Sequence, residues 1–323
     1  MSTATEDVRI PLADARQIYR VSDVDRALEE SAPARNEALT AFYERMKRMG
    51  GTRFVVKPSH TDTLDPLYES CPNFGDVIDD LKKSLALAVS GNEPVSFAPM
   101  LLLGEPGIGK THFARALAQH LGTGFEFVAM SSLTAGWILS GASAQWNHAK
   151  PGKVAQALVG GEMANPVMVL DEVDKAGGDA RYDPMGALYE LFEQDTARRF
   201  RDEYVDVEID ASHILWVTTA NDASQIPEPI LNRMNVYEVP RPDPEESFQI
   251  ACRLYREILA DHAWGFPAEA PESVMERLAA LPPREQRRAL LSAFGNAKLA
   301  GRDHLEVEDL DAARLARKRR IGF

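Results

Sequence analysis

Cysteine is nearly absent: Cys71 and Cys252 are the two in 323 residues, far apart in the chain. So sparse a set offers no disulfide framework, and the expectation is a reduced, cytoplasmic setting in which both thiols are structural. No apolar run approaches the about 20 residues that span a bilayer. The opening MSTATEDVRIPLADAR also lacks the apolar centre of a secretion signal, so no membrane partner is expected. The seven histidines show no HExxH or related spacing, which argues against a zinc site. Positive charge is in deficit: 36 Lys and Arg stand against 49 Asp and Glu, a net charge of −13. A dedicated nucleic-acid binder needs a basic face to meet phosphates, so nucleic acid is not an expected partner. The one basic run considered, ARKRR (316–320), reads as a solvated helix end. Internal repeats and low-complexity tracts are missing as well.

What is present is an ordinary globular composition, 45% hydrophobic, on a chain long enough for two domains. Residues 1–70 read as a mainly helical N-terminal segment. In ARNEALTAFYERMKRM (34–49) the residues Leu39, Phe42, Met46 and Met49 form one helical stripe, ended by Gly50-Gly51. That stripe docks either on its own chain, the reading favoured here, or on a partner. A short strand is expected over 52–58.

From about residue 74 apolar strands alternate with helices. Strands are expected at 99–104, 125–130, 166–172 and 213–221, and helices at 77–89, 111–121 and 184–194, the last capped by Asp183 with Pro184 at its first position. Nearly continuous apolar strands such as PVMVLDE belong in a parallel sheet covered on both faces. VPRPDPEE (239–246) breaks the pattern, and helices alone follow, near 244–262, 271–281, 284–299 and 307–319. The expected domains are therefore 1–70, an α/β domain over 71–240, and a small helical domain over 241–323.

GEPGIGKT (104–111) matches GxxxxGK(S/T) and lies between an apolar strand and a helix, the context that motif needs. Gly104, Gly107 and Gly109 let the backbone wrap phosphate oxygens, with Glu105, Pro106, Ile108 and His112 completing the cradle. Lys110 can reach the β- and γ-phosphates, and the Thr111 hydroxyl can ligate Mg²⁺. The strand VMVLDE (167–172) ends in two adjacent acids. Asp171 can hold the Mg²⁺ shell, while Glu172 is placed to polarise a water for attack on the γ-phosphate. The expected ligands are thus ATP and Mg²⁺.

Residues 171–222 carry Asp171 to Lys175, Asp183 to Leu188, Phe200-x-Asp202-x-Tyr204 and Thr219-Ala220-Asn221, and IPEPILNRMNVYEV (226–239) continues the run. This constellation resembles the AAA+ ATPase module of the Lon family over about residues 74–300. The resemblance implies a P-loop AAA+ parallel sheet sandwiched by helices with a C-terminal helical lid. It implies that Asn221 orients the attacking water, as the first sensor, and that Arg233 is an arginine finger for a neighbour's γ-phosphate. Arg284 matches the lid arginine, with Arg287 and Arg288 as rivals. Phe74-Gly75 falls where the family packs an aromatic-Gly pair near adenine, although Asp76 replaces an apolar neighbour. In GASAQWNHAKPGK (141–153) the spacing Gly141, Trp146, Gly152 matches the loop whose aromatic lines the ring channel, with Tyr182 as a helper on a second loop. The competing reading packs Trp146 on its own domain or at a subunit interface. The chain ends at Phe323, where Lon proteases continue into a peptidase domain, so no proteolysis is expected.

Three functions compete on these residues. The first is an oligomeric, by resemblance hexameric, ATP-driven ring that remodels or unfolds a protein substrate. The second is an ATP-dependent assembly switch that recruits a partner through residues 1–70. The third is a nucleic-acid motor or loader, which the acidic charge disfavours.

Overall fold

The apolar strands do assemble into a parallel sheet. The computed structural model of the protein describes residues 12–31, 36–132, 137–143, 149–176 and 185–310. Along the chain come β1 (Leu12–Gln17), α1 (Val21–Ser31), α2 (Glu37–Met49), β2 (Thr52–Lys57), α3 (Pro66–Ser70), α4 (Gly75–Gly91), β3 (Met100–Leu103) and α5 (Lys110–Leu121). There follow β4 (Phe125–Ala129), α6 (Trp137–Ser140), α7 (Lys153–Gly160), β5 (Val167–Asp171), α8 (Leu188–Leu191), α9 (Gln194–Ala197), β6 (Phe200–Arg201) and β7 (Glu208–Ile209). The series closes with β8 (Leu215–Ala220), α10 (Glu228–Leu231), β9 (Asn235–Glu238), α11 (Pro244–Asp261), α12 (Glu272–Ala279) and α13 (Pro283–Leu299). Contacts group the chain into two units. One comprises Met1–Leu64, Asp76–Leu103 and Ala114–Glu238; the other comprises Asp65–Gly75, Gly104–Phe113 and Val239–Phe323.

In the first unit the sheet runs β4-β5-β8-β3-β9, parallel throughout. Every residue of β8 is buried, as are the first four of β5, so these strands are apolar without alternation. Register places Asp171 opposite Ala129, Leu170 opposite Thr218, and Leu103 opposite both Ala220 and Glu238. The carboxyl ends therefore share one edge, where such sheets carry their chemistry. Strand β9 was not expected from sequence: its largely exposed NVYE has no apolar run, and it gains strand geometry by pairing with β3 at the sheet margin.

The N-terminal stripe docks on its own chain. Leu39, Tyr43 and Met46 are buried in the same core as Leu158, Met168 and Trp216, whereas Met49 is exposed. Tyr43 Oη donates to the Val205 carbonyl at 2.7 Å and Tyr19 Oη to that of Met46 at 2.9 Å. Asn36 caps α2 by accepting from the Leu39 amide at 3.1 Å, and Gly50 stops the helix with φ +67°. Arg53, 3% exposed, donates to the carbonyls of Leu158 and Val159 at 2.9 and 3.0 Å. It thus places a cation at the C-terminal end of α7, where the helix dipole favours one. Strand β1 pairs antiparallel with β2, from Leu12 opposite Lys57 to Gln17 opposite Thr52.

The helix expected over 184–194 is broken. Glu193 takes an extended backbone (φ −102°, ψ 121°), dividing α8 from α9. The Thr196 hydroxyl donates to the Glu190 carbonyl at 2.6 Å, satisfying an acceptor that a continuous helix would have used. Asp183 and Pro184 lie outside the described residues.

The second unit holds the C-terminal helices. Asp243 and Glu246 close a reciprocal capping box on α11, each bond 2.8 Å, with Pro244 in its first turn. Tyr255, Leu278, Leu290 and Phe294 form its core. Gln286, fully buried, donates to Ser247 Oγ at 2.9 Å and to the Leu281 carbonyl at 3.1 Å, joining α11 to α13. A further helix begins at residue 307, and positions from 311 on lie outside the described residues.

Candidate nucleotide site

The phosphate loop belongs to the second unit. Gly107 and Gly109 adopt φ +86° and +106°, a left-handed backbone that side chains oppose and anion-binding nests require. Lys110, 8% exposed, opens α5 and donates from Nζ to the carbonyls of Gly104 and Glu105 at 2.6 and 3.0 Å. The loop's shape, its helix N-terminus and its ammonium fit a polyphosphate. Asn73 props it by donating from Nδ2 to the carbonyls of Ile108 (3.3 Å) and Pro240 (3.0 Å).

Phe74 is 1% exposed and stacks on Phe113, with centroids 4.5 Å apart and planes within 2°. A Cβ built on Gly109 would lie 3.7 Å from its ring. Its ring packs against the loop. Beside Pro106, Gly107 and Ile108 opens a cavity of about 600 Å³, further lined by Ser247, Phe248 and Leu281. Arg284 stands over the loop: a Cβ on Gly107 would meet its Cβ at 3.4 Å. Glu105 is engaged by Arg241, whose Nε donates to Oε2 at 2.7 Å.

The acidic edge belongs to the first unit. Asp171 Oδ1 accepts from Thr219 Oγ1 at 2.8 Å, and the Glu172 amide donates to the same Thr219 oxygen at 3.0 Å. Glu172 sits in left-handed backbone (φ 57°, ψ 50°), and its carboxylate is ion-paired with Lys175. That contact holds the Lys175 ammonium above its usual range. Asp174 Oδ2 accepts from the amides of Asn221 (3.0 Å) and Asp222 (3.2 Å), fixing the end of β8. Sequence reading passed over Thr219, Asp174 and Lys175 as site residues, although all three stand inside the motifs quoted above.

Arg233 is occupied within its own chain. Nε lies 2.9 Å from Glu193 Oε1, Nη1 donates to the Pro229 carbonyl at 2.6 Å, and the guanidinium lies 5.7 Å from the Tyr189 ring centroid. Trp146 and Tyr182 lie outside the described residues. The stem of the Trp146 loop is described: Asp202, fully buried, accepts from the amides of Gly152 (2.7 Å), Tyr204 (2.9 Å) and Val205 (3.1 Å). Burial pushes the Asp202 carboxyl up to about 6, against the opposing pull of those three donors.

A family model described as "ATPase family associated with various cellular activities (AAA)" matches residues 100–241, the span from β3 to just beyond β9. The chain carries an AAA-family ATPase domain. Nucleotide binding and ATP hydrolysis are the chemistry of that domain. Over this region the chain is similar in sequence to Lon proteases. It is 36% identical over 189 residues to a Lon protease of Halothermothrix orenii, covering 57% of this chain and 24% of that one. It is 38% identical over 214 residues to Lon protease 2 of Hydrogenovibrio crunogenus, covering 66% and 23%. The chain thus spans about a quarter of the length of the curated relatives it matches. In fold it is similar to Hsp104 in its closed state, with TM-score 0.60 at 18% identity, over 87% of this chain and 56% of that one. The Thermotoga maritima RuvB branch-migration motor gives TM-score 0.50 at 19% identity, over 73% and 66%. At such identities these likenesses speak for the AAA fold alone. Among the described residues no helix is long and apolar enough to cross a membrane.

Proposed function

We propose that the AAA domain works as a Mg²⁺-dependent ATPase in a homo-oligomeric ring, hexameric by analogy with its family, that remodels or unfolds a protein substrate without cleaving it. The observation that carries the proposal is the left-handed phosphate loop with Lys110 beside it and the hydrogen-bonded acidic edge, on a module similar in sequence to Lon proteases. Gly104 to His112 hold the phosphates, with Lys110 at the β- and γ-positions. Thr111 and Asp171 offer hard oxygen ligands to Mg²⁺, which supplies positive charge at the transferring group. Glu172 polarises the water and Asn221 orients it. Arg284 is favoured over Arg287 and Arg288 as the lid arginine by its place against Gly107.

In this reading Arg233 leaves Glu193 to serve a neighbour's γ-phosphate, a contribution worth roughly 10³–10⁵ in rate. Trp146, helped by Tyr182, grips an extended chain by apolar contact. The assembly-switch alternative loses its most apolar surface, since Leu39, Tyr43 and Met46 are already buried. A cytoplasmic setting suits the two free thiols, of which burial pushes Cys71 up to about 11 and so makes it unreactive. The test of the ring is a mixing experiment. Arg233→Ala and Lys110→Ala proteins, each inactive alone, regain part of the ATPase on mixing, because some interfaces join an intact finger to an intact loop. Absence of any regain, with both variants folded and co-assembled, contradicts a finger acting in trans.

A further inference from the structure

We propose that Thr219 is the positioning residue of the acidic edge, one hydroxyl setting both Asp171 and Glu172. The proposal rests on the roles given above to those two acids. Thr219 is 1% exposed, near the carboxyl end of β8 beside β5. Its hydroxyl has one proton, which goes to Asp171 Oδ1 at 2.8 Å. An ionised carboxylate accepts and never donates, so the direction of that bond is fixed, and a lone pair of Thr219 is left to accept the Glu172 amide at 3.0 Å.

The second bond matters because Glu172 has left-handed backbone, which a non-glycine residue adopts only when its surroundings hold it there. The Glu172 side chain leaves the sheet edge in the direction that this backbone sets. Loss of the hydroxyl therefore acts on both acids together: Asp171 loses a donor that orients its carboxylate, and Glu172 loses the acceptor that anchors its turn. The neighbouring Thr218 supplies an internal contrast. It is equally buried, but its hydroxyl donates to the Met100 carbonyl at 2.9 Å, on the opposite face of the strand and away from either acid.

The experiment compares Thr219→Val, which keeps the β-branched shape and removes the hydroxyl, with Thr219→Ser, which restores it. Thr218→Val is the control for general damage to β8. The readouts are kcat, the Mg²⁺ concentration giving half-maximal rate, the Kd of a fluorescent ATP analogue with and without Mg²⁺, and the melting temperature. The expected result for Thr219→Val is a fall in kcat of about 10- to 100-fold, the cost typical of removing a partner that orients a metal-ligating carboxylate. Its analogue Kd without Mg²⁺ stays within about threefold, while its Mg²⁺ requirement rises. Thr219→Ser recovers most of kcat. Thr218→Val melts lower but keeps kcat and Mg²⁺ dependence.

Wild-type kcat and Mg²⁺ dependence in Thr219→Val overturn the proposal, as does a Thr219→Ser protein no better than Thr219→Val. Equal kcat losses in Thr218→Val and Thr219→Val overturn it too, since they report strand damage alone. Should Thr219→Val not fold, Thr219→Ala against Thr219→Ser gives the same comparison. Glu172→Gln is run alongside. If it hydrolyses ATP at the wild-type rate the underlying assignment of the acids has failed; if it is inactive while Thr219→Val is normal, the Thr219 proposal alone has failed.

Discussion

Asp202→Asn probes the stem of the Trp146 loop through a buried carboxylate. In the native protein Asp202 has no solvent contact, and burial lifts its carboxyl from the ordinary 3.8 to about 6. An acid raised on folding is protonated in the native state, and ionised in the unfolded one, between those two values. Its contribution to stability therefore falls as pH rises from about 4 to about 6 and stays low above that window. At about 1.36 kcal/mol per pH unit, the gap between 3.8 and about 6 amounts to ~3 kcal/mol. Asparagine does not titrate. Its Oδ1 can keep the bonds from Tyr204 and Val205, but an amide nitrogen then faces the Gly152 N–H, a donor–donor conflict costing about 1–3 kcal/mol at every pH. Urea unfolding of both proteins between pH 4.5 and 7.5 separates the two effects. The expected result is a stability gap in favour of the wild type that is larger at pH 4.5 than at pH 7.5, changing by ~2 kcal/mol because about 1.5 pH units of the window lie between 4.5 and 6. A gap independent of pH, or one that grows as pH rises, refutes the reasoning.

Two further outcomes are expected. Met46→Ala, at a residue with no exposed surface in the core shared by α2 and the sheet, is expected to cost about 2–5 kcal/mol in urea unfolding, and a loss below about 1 kcal/mol would show that α2 is not docked there. Trp146→Ala is expected to leave basal ATPase, oligomerisation and melting temperature near wild type while removing stimulation by an unfolded protein substrate; a lower melting temperature with stimulation intact would assign Trp146 to packing.

The sheet was legible because β5 and β8 lack alternation, and the phosphate loop because its glycine spacing has few other uses. The α2 stripe was legible through Leu39 and Met46, but the side facing the core is centred one residue beyond Phe42, on Tyr43, so Met49 falls outside it. Strand β9 escaped notice because NVYE has neither an apolar run nor a clean alternation; its pairing with β3 is a tertiary fact. The hydrogen bonds of Thr219 and Asp174 escaped for a different reason. A threonine in an apolar strand reads as a packing residue, and an acid two positions beyond Glu172 reads as solvated, until register brings β8 beside β5. Arg233 is the opposite case. Its motif position implies a role in a neighbour, while its contacts within the chain are those of an ion pair with Glu193.

The central claim is that Glu172 activates the water while the phosphate loop secures the nucleotide. It is tested most directly by measuring ATP-analogue binding and steady-state Mg²⁺-ATP turnover on one preparation of Glu172→Gln beside the wild type. Glutamine keeps the shape of the side chain and removes the base. The expected result is an analogue Kd within about threefold of wild type and turnover lower by about 10²–10⁴. Turnover at the wild-type rate, with binding intact, would contradict the assignment of Glu172 and with it the reading of the acidic edge.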